Sequence, residues 1–108
     1  MELYRQYLLE RENTHLLEYD WGFATYRFED AHVYLRDIYV VPDKRDMGLG
    51  VALMNEVAIL AREAGLDIMV GSVDENDKNS ERMHDVMKHL GFKEHMKVED
   101  LTYYLKEI

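Results

Sequence analysis

No cysteine occurs among the 108 residues, which excludes a disulfide framework, a thiolate metal site and a cysteine nucleophile. Basic residues are few: 13 Lys and Arg stand against 22 Asp and Glu, a formal charge of -9. A field of that sign repels nucleic-acid phosphates, so no nucleic-acid partner is expected. It suits a cationic partner such as an amine or a basic protein tail, and it also serves plain solubility. Long apolar runs are missing as well. The opening MELYRQYLLERENTH is charged throughout, unlike a signal peptide or a membrane span. The expected setting is the cytoplasm, with no membrane association. His15, His32, His84, His89 and His95 show no metal-ligand spacing, and no metal is expected.

One proline and six glycines leave few breakpoints, and those divide the chain into ordered pieces. No repeat, low-complexity tract or linker appears, so residues 1–108 read as one domain. Residues 2–12 place Leu3, Tyr4, Tyr7, Leu8 and Leu9 at helical spacing, giving one apolar face. THLLEYD and WGFATYRFED read as two strands, with a turn around Asp20–Gly22. VYLRDIYVV is a long strand with apolar or aromatic residues on both faces, hence central, and Pro42 ends it. From Val51 to Ala64 the stripe Leu53, Met54, Val57, Ala58, Leu60, Ala61 predicts a helix that Gly65 stops. LDIMVGSV is a further strand, SERMHDVMKHLGF a helix, and HMKVE with LTYYLKEI a closing pair of strands. The order predicts an α/β domain with a mixed sheet. Tyr103 and Tyr104 are expected to face opposite sides of the last strand, and Trp21 to anchor the first hairpin.

The loop Arg45-Asp46-Met47-Gly48-Leu49-Gly50 lies between a strand and the first turn of a helix. The first amides of a helix lack partners within it and sit at its partially positive end. Glycines let an anion approach the backbone without meeting Cβ. Such a loop can hold a phosphate, although two glycines can also serve the turn alone. A Gly-Lys-Ser/Thr ending is absent, which excludes a P-loop. Leu53 stands where a dinucleotide-binding turn needs its third glycine.

LRDIYVVPDKRDMGLG, followed by a helix, a strand and an asparagine-containing helix ending in KHLGF, resembles the GNAT superfamily of acetyl-CoA-dependent N-acetyltransferases. The family pattern Arg/Gln-x-x-Gly-x-Gly/Ala falls on Arg45, Gly48 and Gly50, after a strand ending in Val-x-Pro. Its second half falls on Asn79, Ser80, Gly91 and Phe92. The resemblance covers about residues 16 to 108 and implies a mixed, mostly antiparallel central sheet flanked by helices. It implies that acetyl-CoA is the co-substrate and that the amides of Arg45, Asp46, Met47, Gly48, Leu49, Gly50 and Val51 take the CoA diphosphate. Backbone near Ile38, Tyr39 and Val40 would pair with the pantetheine arm, and an amide there would polarise the acetyl carbonyl. Asn79 or Ser80 would reach the pantetheine end. An amine then attacks the thioester directly.

Three departures from the family pattern matter. Met87 stands four residues before Gly91, where relatives often place the tyrosine that protonates the departing thiolate. A general acid is worth ~10²–10⁴ in rate, and His84, one turn earlier, is a candidate substitute. No base for the amine is evident: Asp37 is the first candidate, its carboxylate at least as readily explained by a bond within the sheet or at its edge. His32 is a second, and a water chain to solvent is the default. Relatives usually carry an additional strand and helix ahead of the residue 2–12 helix, so an open acceptor cleft is expected, completed by a large acceptor or by a second subunit. A homodimer is therefore expected. In the loop, Asp46 and Met47 replace glycine and basic residues, leaving Arg45 and Lys44 to neutralise phosphate. The leading expectation is an N-acetyltransferase acting on a primary amine, with a catalytically weak binding protein or a CoA sensor as the alternatives.

Overall fold

A computed structural model describes residues 2–108. Helix α1 (Glu2–Glu12) precedes strands β1 (His15–Tyr19), β2 (Gly22–Phe28) and β3 (Val33–Val40). A 3-10 turn (Pro42–Lys44) leads to α2 (Leu49–Glu63), β4 (Ile68–Asp74), α3 (Ser80–His89), β5 (Lys93–Val98) and β6 (Leu101–Glu107). The strands form one six-stranded sheet in the order β1-β2-β3-β4-β6-β5. Only β3 and β4 run parallel, as the α2 crossover between them requires. The mixed sheet and its central β3 match the sequence reading.

The periodicity of α2 decides where the core lies. Leu53, Met54, Val57, Ala58 and Ala61 are all buried, packed on Ala24, Tyr26, Val33, Leu35, Met69 and Val73 of the sheet. Each buried Leu, Met or Val among them contributes roughly 1.5–3 kcal/mol by leaving water. Helix α3 packs Met87 against the same cluster, and Leu90, just past its end, joins it. It stops because Gly91 takes φ 91°, letting the amides of Gly91 and Phe92 return to the carbonyls of Lys88 and Met87. Phe92 then enters the core at 3% exposure. The Gly-Phe pair is thus a helix stop and an anchor in one.

The opposite face of the sheet is only partly covered. Helix α1 buries Leu8 alone, while Leu3, Tyr7 and Leu9 are 82%, 50% and 48% exposed. The five apolar positions that predict a buried face therefore spread around the helix, and a single turn of contact holds it. Thr14 is fully buried, its amide donating to Leu8 O and its hydroxyl to Glu12 O. Trp21 stacks on Tyr19 at 4.9 Å, closing the first hairpin.

Tyr104 is fully buried and Tyr103 partly exposed, one on each side of β6. A buried phenol needs a partner, and Tyr104 Oη lies 2.6 Å from His84 Nδ1. His84 Nε2 meets Glu75 at 2.5 Å, and Thr102 Oγ1 donates to the same carboxylate at 3.0 Å. Through this chain α3 is fastened to β4 and β6. The bond from His84, then that from Thr102, holds the Glu75 carboxyl below the ordinary glutamate value. Burial, with Glu94, Glu75 and Asp85 nearby, pushes the Tyr104 phenol up. A carboxyl whose folded value lies below its unfolded one stabilises at neutral pH and loses that contribution as pH falls through the folded value. We therefore expect Glu75→Gln to melt below the wild type at pH 7. The gap should close as both are acidified below the ordinary glutamate range, which thermal denaturation across a pH series would check.

Candidate active site

The site begins where β3 and β4 stop pairing. Their register is limited to Val33↔Met69 and Tyr34↔Val70. Beyond it β4 stays with β6 through Asp74, and β3 stays with β2 after a bulge. Tyr26 faces Leu35 and Thr25 faces Asp37, so Arg36 is the extra residue. Asp37 braces the bulge, its Oδ2 accepting from Thr25 Oγ1 at 2.6 Å and lying 3.5 Å from Arg36 Nε. The parted strands enclose a cleft of about 320 Å³. Residues 35–40 form one side, Ser72 and Val73 the other, and Asn79, Arg82, Met83, Val86, Met87 and Leu90 line it from α3 and its approach.

At the wide end of the cleft the chain turns into α2. Asp46 and Gly48 take left-handed φ of 63° and 77°. The helix has no side-chain cap, and among the described residues no acceptor meets the amides of residues 46–51. A Cβ added at Gly50 would find only Ile38 Cγ2, at 3.9 Å, and one at Gly48 would find nothing within 4 Å. Packing alone does not demand glycine at 50; the space above it is open. Arg45 donates from Nε to Val40 O at 2.9 Å and lies 5.5 Å from the Tyr39 ring. Unpaired helix amides, an adjacent guanidinium and open space together fit a diphosphate.

The cleft lining brings together Asp37, Ile38, Tyr39, Val40, Arg45 and Asn79, and the loop carries Asp46, Met47, Gly48, Leu49, Gly50 and Val51 onward from Arg45. Ser80 is not in the lining; it opens α3, with its amide on Asp77 O. His84 is not in the lining either, both ring nitrogens being engaged with Tyr104 and Glu75. Met87 does line the cleft, its methyl lying over Gly71, where any Cβ would collide with it. Arg82 adds a cation that the loop residues alone do not reveal. Its signal was its helical spacing, three residues after Asn79 and four before Val86.

Across the sheet lies an open trough of about 690 Å³, bordered by Arg27, Glu29, His32, Tyr34, Arg36, His95, Met96 and Tyr103. Arg36 borders both cavities. Between them, Tyr34 Oη lies 2.6 Å from Ser72 Oγ. His32, a candidate base, borders the trough and not the cleft.

Residues 2–92 match the sequence pattern of the acetyltransferase (GNAT) family. No curated protein matches the chain. Among solved structures, the PaiA N-acetyltransferase of Thermoplasma acidophilum, crystallised with coenzyme A, is similar over 99% of this chain and 70% of its own, with 16% identity and a TM-score of 0.75. A GNAT family acetyltransferase of Elizabethkingia anophelis with acetyl-CoA bound is similar over 99% of this chain and 82% of its own, with 15% identity and a TM-score of 0.70. An acetyltransferase of Thermus thermophilus is similar over 94% and 70%, with 18% identity and a TM-score of 0.73. At these identities the likeness is one of fold.

The two loop glycines should separate on substitution. Gly50→Ala removes a poor helix former and is expected to leave stability unchanged or raise it by up to about 1 kcal/mol, while weakening CoA binding. Gly48→Ala forces a Cβ into left-handed backbone at a cost of roughly 1–2 kcal/mol. Melting curves and calorimetric CoA titration of both variants would check the contrast.

Proposed function

The chain is an acyltransferase of the GNAT acetyltransferase family, and from that premise we propose that it transfers the acetyl group of acetyl-CoA to a primary amine by direct attack. The observation that carries the reading is the coincidence of two unsatisfied backbone sets. Helix amides await an anion at residues 46–51, and β3 lacks a second strand along Ile38–Val40. A diphosphate followed by an amide-bearing chain satisfies both, because these backbone donors and acceptors have no protein partners. Arg45 and Arg82 supply the positive charge beside it. With the diphosphate at the wide end, the thioester lies toward the narrow end, where a β3 amide polarises its carbonyl.

The acceptor enters from the open trough on the other face. A small amine, a lysine side chain or a protein N-terminus each present the required nitrogen, and the chain's charge of -9 favours a cationic one. A homodimer belongs to the same reading: the apolar side chains exposed on α1 and the free edge of β1 suit a second copy. Met87 on the cleft wall favours a second reading, a CoA-binding protein with weak chemistry, since a thioether donates no proton.

Acetyl-CoA at ~100 times its dissociation constant should stabilise the fold by about 2.7 kcal/mol, visible as a raised melting midpoint. An amine panel, followed by release of the CoA thiol, should then identify acceptors. A melting curve indifferent to millimolar CoA and acetyl-CoA would remove the proposal; a shifted curve with no thiol released from any amine would favour the second reading.

A further inference from the structure

Transfer requires the amine nitrogen to lose a proton and the departing sulfur to gain one, and the expected groups are committed elsewhere. Asp37 is held by Thr25 and Arg36, and His84 by Tyr104 and Glu75. The corresponding place on α3 is the thioether of Met87. Between the cleft and the trough stand two hydroxyls instead. Tyr34 belongs to the last rung between β3 and β4, opposite Val70. Ser72, two residues further along β4, extends past that rung, and the 2.6 Å bond between the hydroxyls spans the strands just where the backbone ladder has ended. Tyr34 borders the open trough and Ser72 borders the cleft. The Arg27 guanidinium lies 5.0 Å from the centre of the Tyr34 ring, and it is itself paired with Glu29. The ring is therefore held from the trough side. Either hydroxyl can donate to the other.

We propose that Tyr34 and Ser72 form a two-hydroxyl proton relay connecting the acceptor trough to the acyl end of the cleft. This rests on the transferase reading above. As the N–C bond forms and the C–S bond breaks, the electron pair of the C–S bond goes to sulfur. The nitrogen's proton passes to the Tyr34 oxygen, the Tyr34 proton to the Ser72 oxygen, and the Ser72 proton to sulfur. Both hydroxyls are restored, and the neutral amine and thioester give the amide and the CoA thiol; the additional proton of a cationic acceptor goes to solvent before attack. The relay also suits its place. The part-buried pair carries no charge, so it avoids the desolvation penalty that a carboxylate would carry there.

Tyr34→Phe and Ser72→Ala each delete one hydroxyl and leave ring and strand in place. Each is expected to lower kcat by ~10²-fold with the acetyl-CoA dissociation constant unchanged. The double variant should be no more than a few-fold slower than the slower single, because groups acting as a unit are lost together. A second readout needs no acceptor: the thiol of bound CoA, titrated by its thiolate ultraviolet absorbance, should ionise at lower pH in the wild type than in Ser72→Ala, a hydrogen bond favouring the charged form. Wild-type kcat in either single variant with chemistry limiting, multiplied losses in the double, or an unmoved thiol titration would each overturn the relay. A wild type that binds CoA, shows the thiol shift and acetylates no amine would support the relay's terminal donor and contradict the transferase reading instead.

Discussion

Two parallel rungs join β3 to β4, and the site depends on there being no third. Had the ladder continued, the backbone of Ile38–Val40 would be satisfied within the sheet and no cleft would exist. The bulge at Arg36 shifts the rest of β3, and the Thr25–Asp37 bond holds it shifted. Beneath the fork, α2 clamps Val33, Leu35, Met69 and Val73 into one core, so the strands part without the layer coming apart. Backbone polar groups left unpaired this way must meet water or a ligand, which makes the fork a place for an extended, amide-bearing molecule.

The electrostatics run against the chain's overall sign. In the proposed reading a protein of charge -9 takes an anion because local donors outweigh the distant field: amides at a helix start, Arg45 on the loop and Arg82 across the cleft. Only those two cations line the cleft beside Arg36, so directional hydrogen bonds contribute more to anion recognition than net attraction does. The open face is different in kind. Its arginines are already paired, Arg27 with Glu29 and Arg36 with Glu12, and His32, Tyr34, His95 and Tyr103 border the trough beside them.

Much of this was legible in the residue order. The stripe on α2, the stop at Gly91-Phe92, the strand ending before Pro42 and the glycine loop are local signals, each set by neighbours within a turn or two. The open backbone at Ile38–Val40 came only from the family resemblance. The bulge and the Tyr34–Ser72 pair were not legible, because they arise from strands brought together across long separations. Those two hydroxyls are 38 residues apart, and no spacing rule joins them. His84 shows the same limit from the other side: on its helix it reads as a catalytic candidate, yet it is Tyr104, 20 residues on, that engages it. For α1, the spacing of its apolar residues suggests a buried face, but only Leu8 meets enough of the sheet to be covered.

Amide hydrogen exchange with and without CoA addresses the central claim most directly, since the claim concerns which backbone groups the ligand satisfies. Protection should appear at residues 38–40 of β3 and at 46–51 of the loop and first turn of α2, with the trough-facing strand β5 unchanged. Slowed exchange elsewhere, with both of those segments exchanging as in the free protein, would contradict it.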